Sequence, residues 1–381
     1  MQSRTLDIVH SQPSSIAVYR DPYHSLRKTV QLFEANLTLA SCVRRIWFDG
    51  YYGAETNTMI FGILNRCSNL DCLTLPWTAL RYGDENDWSR LLGRYDKIRT
   101  ISSLELLAVD LKHSQISNIT NRVDKKPLNS PHVNFSGLKR LKIFGHSNFM
   151  PIIDEDLIAI SHTACNLREI HLTGTASVTI KGIEALADSS AESLEVMEHS
   201  PRAADRFAHP DLSFVRKQKD HLCQKILRCP RLQSLSLTVP SLCEDLFANT
   251  SVNWYGEIQI RTMTICGRHP LFLKHTPNAQ IEFWRILDSA RFLVAMRENE
   301  GVELNIEIFV NNWIFEPRCF LVHGNFHSAV MDSRGMWLPE TSHSGKGPYG
   351  QTGLYGKDGS PYESISEENF RDGLEKRYVH F

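Results

Sequence analysis

Residues Cys165–Gly174 read "CNLREIHLTG" and set Leu167, Ile170 and Leu172 in the spacing L-x-x-L-x-L. A half-buried strand alternates strictly, and an amphipathic helix returns its apolar residues every three or four positions. This run does neither throughout: it skips two residues and then alternates. Whether the run stands alone or recurs decides the fold.

It recurs. "RCSNLDCLTL" ends in Leu70, Leu73 and Leu75, and "RCPRLQSLSL" ends in Leu232, Leu235 and Leu237. Cys67 and Cys229 hold matching places in these two runs, and an Ile-Leu pair precedes each. Weaker copies are "VRRIWF" (Val43, Ile46, Phe48), "LELLAV" (Leu104, Leu107, Val109), "LKRLKI" (Leu138, Leu141, Ile143), "LEVMEH" (Leu194, Met197, His199) and "IRTMTI" (Ile260, Met263, Ile265). Their first positions, 43, 70, 104, 138, 167, 194, 232 and 260, are separated by 27 to 38 residues.

Such a unit is a short strand that turns three apolar side chains inward, followed by a return segment that covers them. One unit cannot bury that face alone, so neighbours must stack and share a core. The intervening segments can make the return helices: "ETNTMIFGILNRC" puts Met59, Ile63 and Leu64 on one side, and "DEDLIAISHTAC" does the same with Leu157, Ile160 and Ala164. "IKGIEALADSS" follows with Ile180, Ile183 and Leu186. The expected fold class is α/β, a leucine-rich-repeat solenoid with a curved parallel sheet on the concave face and helices on the convex face.

The unit "CNLREIHLTGTASVTIKGIEALA" resembles the cysteine-containing type of leucine-rich repeat, with Cys165 ahead of the strand and Ile180, Gly182 and Ile183 opening the helix. The irregular unit lengths and the opening "LTLASCVRRIWFDG" are similar to the divergent fungal branch of F-box leucine-rich-repeat proteins, over residues 25–310. That resemblance implies the substrate-recognition part of a cullin-type ubiquitin ligase receptor, a protein partner on the concave face, and a ubiquitin-ligase adaptor as second partner if an F-box equivalent exists. No Leu-Pro pair of the kind that opens an F-box precedes the first expected helix, and Leu338-Pro339 lies in a Gly-rich stretch.

Along the chain, residues 1–40 read as an N-terminal helical cap with a helix near Tyr23–Glu34, and 41–275 as an array of about eight units. Residues 276–315 read as a C-terminal helix–strand cap: Ile281, Trp284 and Leu287 recur at helical spacing, then Val302, Leu304, Ile306, Ile308 and Val310 alternate. Residues 316–381 form a Gly/Tyr-rich extension, in which "SEENFRDGLEKRYVHF" reads as a short helix with Ser366 as N-cap. Lys112–Asn134 and His199–Lys219, the latter with the run "RKQK", read as loops inserted between units.

Lys plus Arg number 42 against 43 Asp plus Glu, so no global charge favours nucleic acid or an anionic membrane. No early segment has the form of a secretory signal, and no apolar run reaches the roughly 18 to 20 residues of a membrane helix. The chain therefore reads as cytoplasmic or nuclear, with its nine cysteines reduced and Cys67, Cys165 and Cys229 as small core fillers.

No motif for catalysis, cofactor or metal stands out. In "GKGPYGQTGLYGKDG" the pair Gly356-Lys357 is followed by Asp358, where a phosphate-binding loop requires Ser or Thr. His323 and His327 are four residues apart, but Gly324 and Asn325 between them disfavour a helix. The reading is a non-enzymatic interaction module. The alternatives are a scaffold unrelated to ubiquitin and an enzyme or ligand-binding protein with its site around Trp313–Tyr362, using His323, His327 and Asp358.

On the interaction reading, the residues flanking the middle leucine of each unit point to the concave surface. The candidate binding residues are Arg45, Trp47, Arg140, Lys142, Glu169, His171 and Glu198. Cys72 with Thr74, Leu106 with Ala108, Val196 beside Glu198, Ser234 with Ser236, and Thr262 with Thr264 complete the expected rows.

Overall fold

The computed structural model describes residues 5–9, 23–49, 54–76, 79, 82–93, 101–107, 127–144, 152–173, 178–200, 222–265, 277–315, 320–327, 336–339, 362–365, 372, 375–376 and 379–380. The chain divides into two compact units, Met1–Leu194 with Ser200–Arg202, and Glu195–His199 with Ala203–Phe381.

The first unit holds six strands in chain order: β1 (Thr5–Val9), β2 (Arg45–Asp49), β3 (Cys72–Pro76), β4 (Ser103–Leu107), β5 (Arg140–Phe144) and β6 (Glu169–Thr173). Every neighbouring pair is parallel and in register, from Thr5 opposite Arg45 to Leu141 opposite Ile170. Parallel neighbours need crossovers, and these share one hand, which places the return segments on one side of the sheet. The helices are α1 (His24–Ala35), α2 (Leu37–Ser41), α3 (Ala54–Arg66), α4 (Glu85–Leu92), α5 (Asp154–Ser161) and α6 (Ile180–Ser189). They pack side by side in chain order, α1 on α3, α3 on α4 and α5 on α6, with a 3-10 turn at Pro127–Asn129 between α4 and α5.

From β2 to β6 the most deeply buried residues of each strand are two apart. Ile46 and Phe48, Leu73 and Leu75, Leu104 and Leu106, Leu141 and Ile143, and Ile170 and Leu172 are shut off from solvent, as is Leu167 one turn ahead. At roughly 1.5–3 kcal/mol per fully buried aliphatic side chain, this shared layer is the main source of cohesion. The junction between units has a signature of its own. The carbonyl of the residue just before each strand accepts two successive amides of the next unit: Arg44 O from Asp71 and Cys72, Asp71 O from Ser102 and Ser103, Ser102 O from Lys139 and Arg140, and Lys139 O from Arg168 and Glu169. Glu195 O does the same for Gln233 and Ser234 in the second unit.

Polar side chains also tie unit to unit. Asn69 Nδ2 donates to Ser41 O at 2.7 Å, Asn166 Nδ2 to Ser136 O at 2.8 Å, and Ser190 Oγ to Ala164 O at 2.6 Å. The carboxylate of Asp154 accepts from Thr179 N at 2.7 Å and Gly182 N at 3.3 Å, so α5 caps the start of α6.

In the second unit β7 (Val196–Ser200), β8 (Ser234–Leu242), β9 (Gly256–Ile265) and β10 (Leu304–Phe315) are parallel. A short helix α7 (Leu222–Leu227), a 3-10 turn at Glu244–Phe247 and the long α8 (Pro277–Asn299) supply its helical layer. Trp254 Nε1 donates to Cys229 O at 3.0 Å, and Arg297 Nε donates in turn to Trp254 O at 2.9 Å.

Six expectations need correction. First, a strand, β1, stands ahead of the helix where only a helical cap was expected, so α1 is a crossover between two parallel strands. Second, Met59 is half-buried and the buried face of α3 includes Thr56, Asn57, Ile60 and Phe61, because helices pack on both flanks of α3. Third, Cys165 is exposed; the place that Cys67 and Cys229 fill three residues before the first leucine belongs here to Ala164. Fourth, the end of the expected loop Lys112–Asn134 is packed, with Leu128 and Val133 buried and Val133 bridged to Gly93. Fifth, β10 is no edge: β11 (Phe320–His327) pairs antiparallel with it, followed by β12 (Met336–Pro339) and β13 (Tyr362–Ile365), and β14 (Val379–His380) also joins β10. The extension beyond residue 315 thus adds strands to the sheet. Sixth, β4 and β9 enter the sheet in a register other than the expected one. The run at Arg216–Lys219, Asp358 and the Ser366 cap lie outside the described residues.

Candidate interaction face

Among the described residues, the strands of the first unit leave one side of their sheet without helices. Register aligns its outward positions in rows across the strands. One row runs Arg45, Cys72, Ser103, Arg140, Glu169; the next runs Trp47, Thr74, Glu105, Lys142, His171. Six of the seven expected residues, Arg45, Trp47, Arg140, Lys142, Glu169 and His171, therefore share this side. Glu198 belongs to the second unit, half-buried on β7 opposite Ser236.

At β4 the motif lies three residues earlier than expected, an odd shift that exchanges the two faces. Leu104 and Leu106 are buried, and Ser103 and Glu105 take the outward places expected for Leu106 and Ala108. The motif there is Ile101, Leu104, Leu106. A second slip occurs at β9, where Ile258, Ile260 and Thr262 face inward and Glu257 and Gln259 align with Ser234 and Ser236. Thr262 is thus not an outward residue.

The slip at β4 matters because Glu105 organises the face. Its Oε2 accepts from Thr74 Oγ1 at 3.2 Å while its Oε1 lies 3.4 Å from Arg140 Nη1. Arg140 Nε stands 3.0 Å from Glu169 Oε2, a pairing of charges without an aligned N–H···O bond, and His171 Nε2 lies 3.4 Å from the same oxygen. Arg140 is thereby held between two carboxylates. Lys142 Nζ sits 4.5 Å above the Phe144 ring, a cation–π contact.

Trp47 stands in its row on β2, in register between Asp7 of β1 and Thr74 of β3, with 45% of its surface exposed. Beside it, Arg45 Nη2 lies 3.9 Å from Cys72 Sγ. Burial first, and the Asp71 carboxylate second, push the Cys72 thiol up from its ordinary range, so it is a protonated thiol at neutral pH and not a nucleophile.

His323 and His327 lie on β11, an extended strand. Four residues of strand put them about 13 Å apart along the backbone, far from the one-turn separation of a helical metal pair. Among the described residues no group of three or more His, Cys, Asp or Glu is placed to hold a metal ion, and no helix is long and apolar enough to cross a membrane.

No family model matches the chain, and no curated protein sequence matches it.

Proposed function

We propose that this chain is a non-enzymatic protein-interaction module, each of its units a run of leucine-rich-repeat solenoid, with a protein partner bound on the helix-free side of the sheet. The observation that carries the reading is Trp47, a large aromatic 45% exposed in a row that continues through the polar residues Thr74, Glu105, Lys142 and His171. Trp and Arg dominate interface energetics, and a half-exposed indole beside an ordered polar row is a ready anchor. The recurring two-amide acceptor at each strand start supports the repeat reading, because it requires successive units to enter their strands in the same geometry. In role, the chain resembles the substrate-recognition part of a cullin-type ubiquitin ligase receptor.

A pull-down with the ligase adaptor tests that role, beside a receptor with an intact F-box as positive control. Adaptor captured by this chain supports the receptor role. No capture leaves the second reading, an interaction scaffold unrelated to ubiquitin. One observation favours that second reading: Leu338 and Pro339 lie in β12, paired antiparallel with Glu363 and Tyr362, and so do not open a helical module.

A further inference from the structure

We propose that the helix-free side of the first unit takes an extended acidic segment of a protein partner, with an apolar residue seated on Trp47 and a carboxylate about four positions away on Lys142. The inference rests on the reading of this side as a protein-binding surface and assigns the chemistry of its ligand.

The charged groups here fall into two classes. Glu105, Arg140 and Glu169 satisfy one another, since both Glu105 oxygens and both flanks of the Arg140 guanidinium are engaged within the sheet. Two carboxylates against one guanidinium leave a single net negative charge, so this cluster organises the surface, and any attraction for an acid must come from the cations outside it. The remaining cations are open. Arg45 touches only a thiol, Lys142 only a ring face, and neither meets a carboxylate among the described residues. On the edge where the strands begin, Arg44 donates to the Asn69 carbonyl and Lys139 is exposed; these too meet no carboxylate among the described residues. Asp71, the acid on that edge, is held by Ser102 Oγ at 2.5 Å. What remains for a ligand is positive charge beside an exposed indole.

Geometry then sets the spacing. Trp47 and Lys142 belong to one row, three strand steps apart from β2 to β5. At about 4.8 Å per step the two are separated by roughly 14 Å. An extended peptide crosses that distance in about four residues. Between them the row presents Thr74 and Glu105, with the Thr74 hydroxyl already donated to the carboxylate. Glu105 repels an acid at the intermediate positions, so the fitting segment is apolar at one end, neutral in the middle and acidic at the other. The same two carboxylates, Glu105 and Glu169, disfavour a polyphosphate backbone laid across the strands, which is why the ligand is a peptide and not a nucleic acid.

The test pans a random library of short linear peptides against the immobilised full chain. Synthetic copies of the enriched sequences are then titrated by fluorescence polarisation against wild type, Lys142→Glu and Trp47→Ala, each first shown to melt like wild type. The expected result is enrichment of peptides with an aliphatic or aromatic residue about four positions from Asp or Glu. Their Kd rises about tenfold or more in either variant, and their affinity falls as salt is raised. Basic or neutral peptides that Trp47→Ala releases would overturn the assigned chemistry while leaving this side as a binding surface. Acidic peptides indifferent to both substitutions would overturn the assignment and the surface together, and displacement by a single-stranded oligonucleotide at equal concentration would overturn the choice of a peptide.

Discussion

His199 stands where the repeat asks for a third leucine, on β7 opposite Leu237, and only 1% of it reaches solvent. Burial lowers its pKa from 6.5 to about 4, with the Thr238 backbone working weakly the other way. The ring is therefore neutral at physiological pH and serves as a core side chain. Because the folded pKa lies below the unfolded one, the unfolded chain binds the proton more readily between these values. The stability held by the neutral ring is complete above about pH 6.5 and is lost as pH falls toward 4, by about 3 kcal/mol in all. Replacing His199 by Leu should flatten the pH dependence of denaturant unfolding in that window; an unchanged slope would mean that the ring is not buried neutral. At the same scale, the sequence distinguishes Cys67 and Cys229 from Cys165 only if the count starts from the first leucine, where Cys165 falls one place late. Alkylation of the native protein should label Cys42 and Cys165 rapidly and Cys67, Cys223, Cys229 and Cys243 slowly, read by peptide mass spectrometry.

Register carries the element scale. The stretch "ISSLELLAV" contains more apolar residues than one strand face needs, so two registers fit it equally well on pattern alone. With a side-chain period of two, a slip by an odd number of residues turns every side chain to the other face, and Glu105 was lost to the sequence reading for that reason. At β9 the cause is local backbone. Gly256 sits at φ +78°, where an added Cβ would lie 2.5 Å from Gln233 O, and the chain enters the strand with Tyr255 exposed and Trp254 buried. A left-handed residue ahead of a strand has no apolar signature, so the spacing could not announce it. Gly301, at φ +74° with no atom within 4 Å of such a Cβ, provides a control. Gly301→Ala should cost about 1 kcal/mol from the left-handed conformation alone. Gly256→Ala should cost clearly more, since it adds a collision with a backbone oxygen; equal losses in chemical denaturation would contradict the entry geometry of β9. The helices α1, α3, α5, α6 and α8 were the easier elements, because their apolar residues recur at helical spacing, whereas the shorter α4, capped by Asp84, whose side chain accepts from Asp87 N at 2.8 Å, was not read.

For the whole molecule, self-similarity was the strongest message: paired strings such as "RCSNLDCLTL" and "RCPRLQSLSL" imply stacked β–α units before any single element is assigned. The antiparallel strands after β10 were hidden, because a segment dense in Gly and Tyr has no clear period. Of the candidate face, the outward placement of six residues was legible from their positions beside the middle leucine. The network that pairs Glu105, Arg140 and Glu169 was not, since it depends on register between strands about thirty residues apart. Breaking it should be mild in stability: Glu105→Ala exposes no buried charge, and a partly exposed ion pair contributes about 0.2–1 kcal/mol. A loss of several kcal/mol on denaturation would show that Glu105 is a structural keystone instead. The claim that this side of the first unit is where a protein partner sits is tested most directly by site-specific photo-crosslinking. A photoreactive amino acid replaces Arg45, Lys142 or, as a control on the helical side, the exposed Asn86 of α4. The account predicts an adduct to one and the same partner from positions 45 and 142 and none from 86; adducts from 86 alone would contradict it.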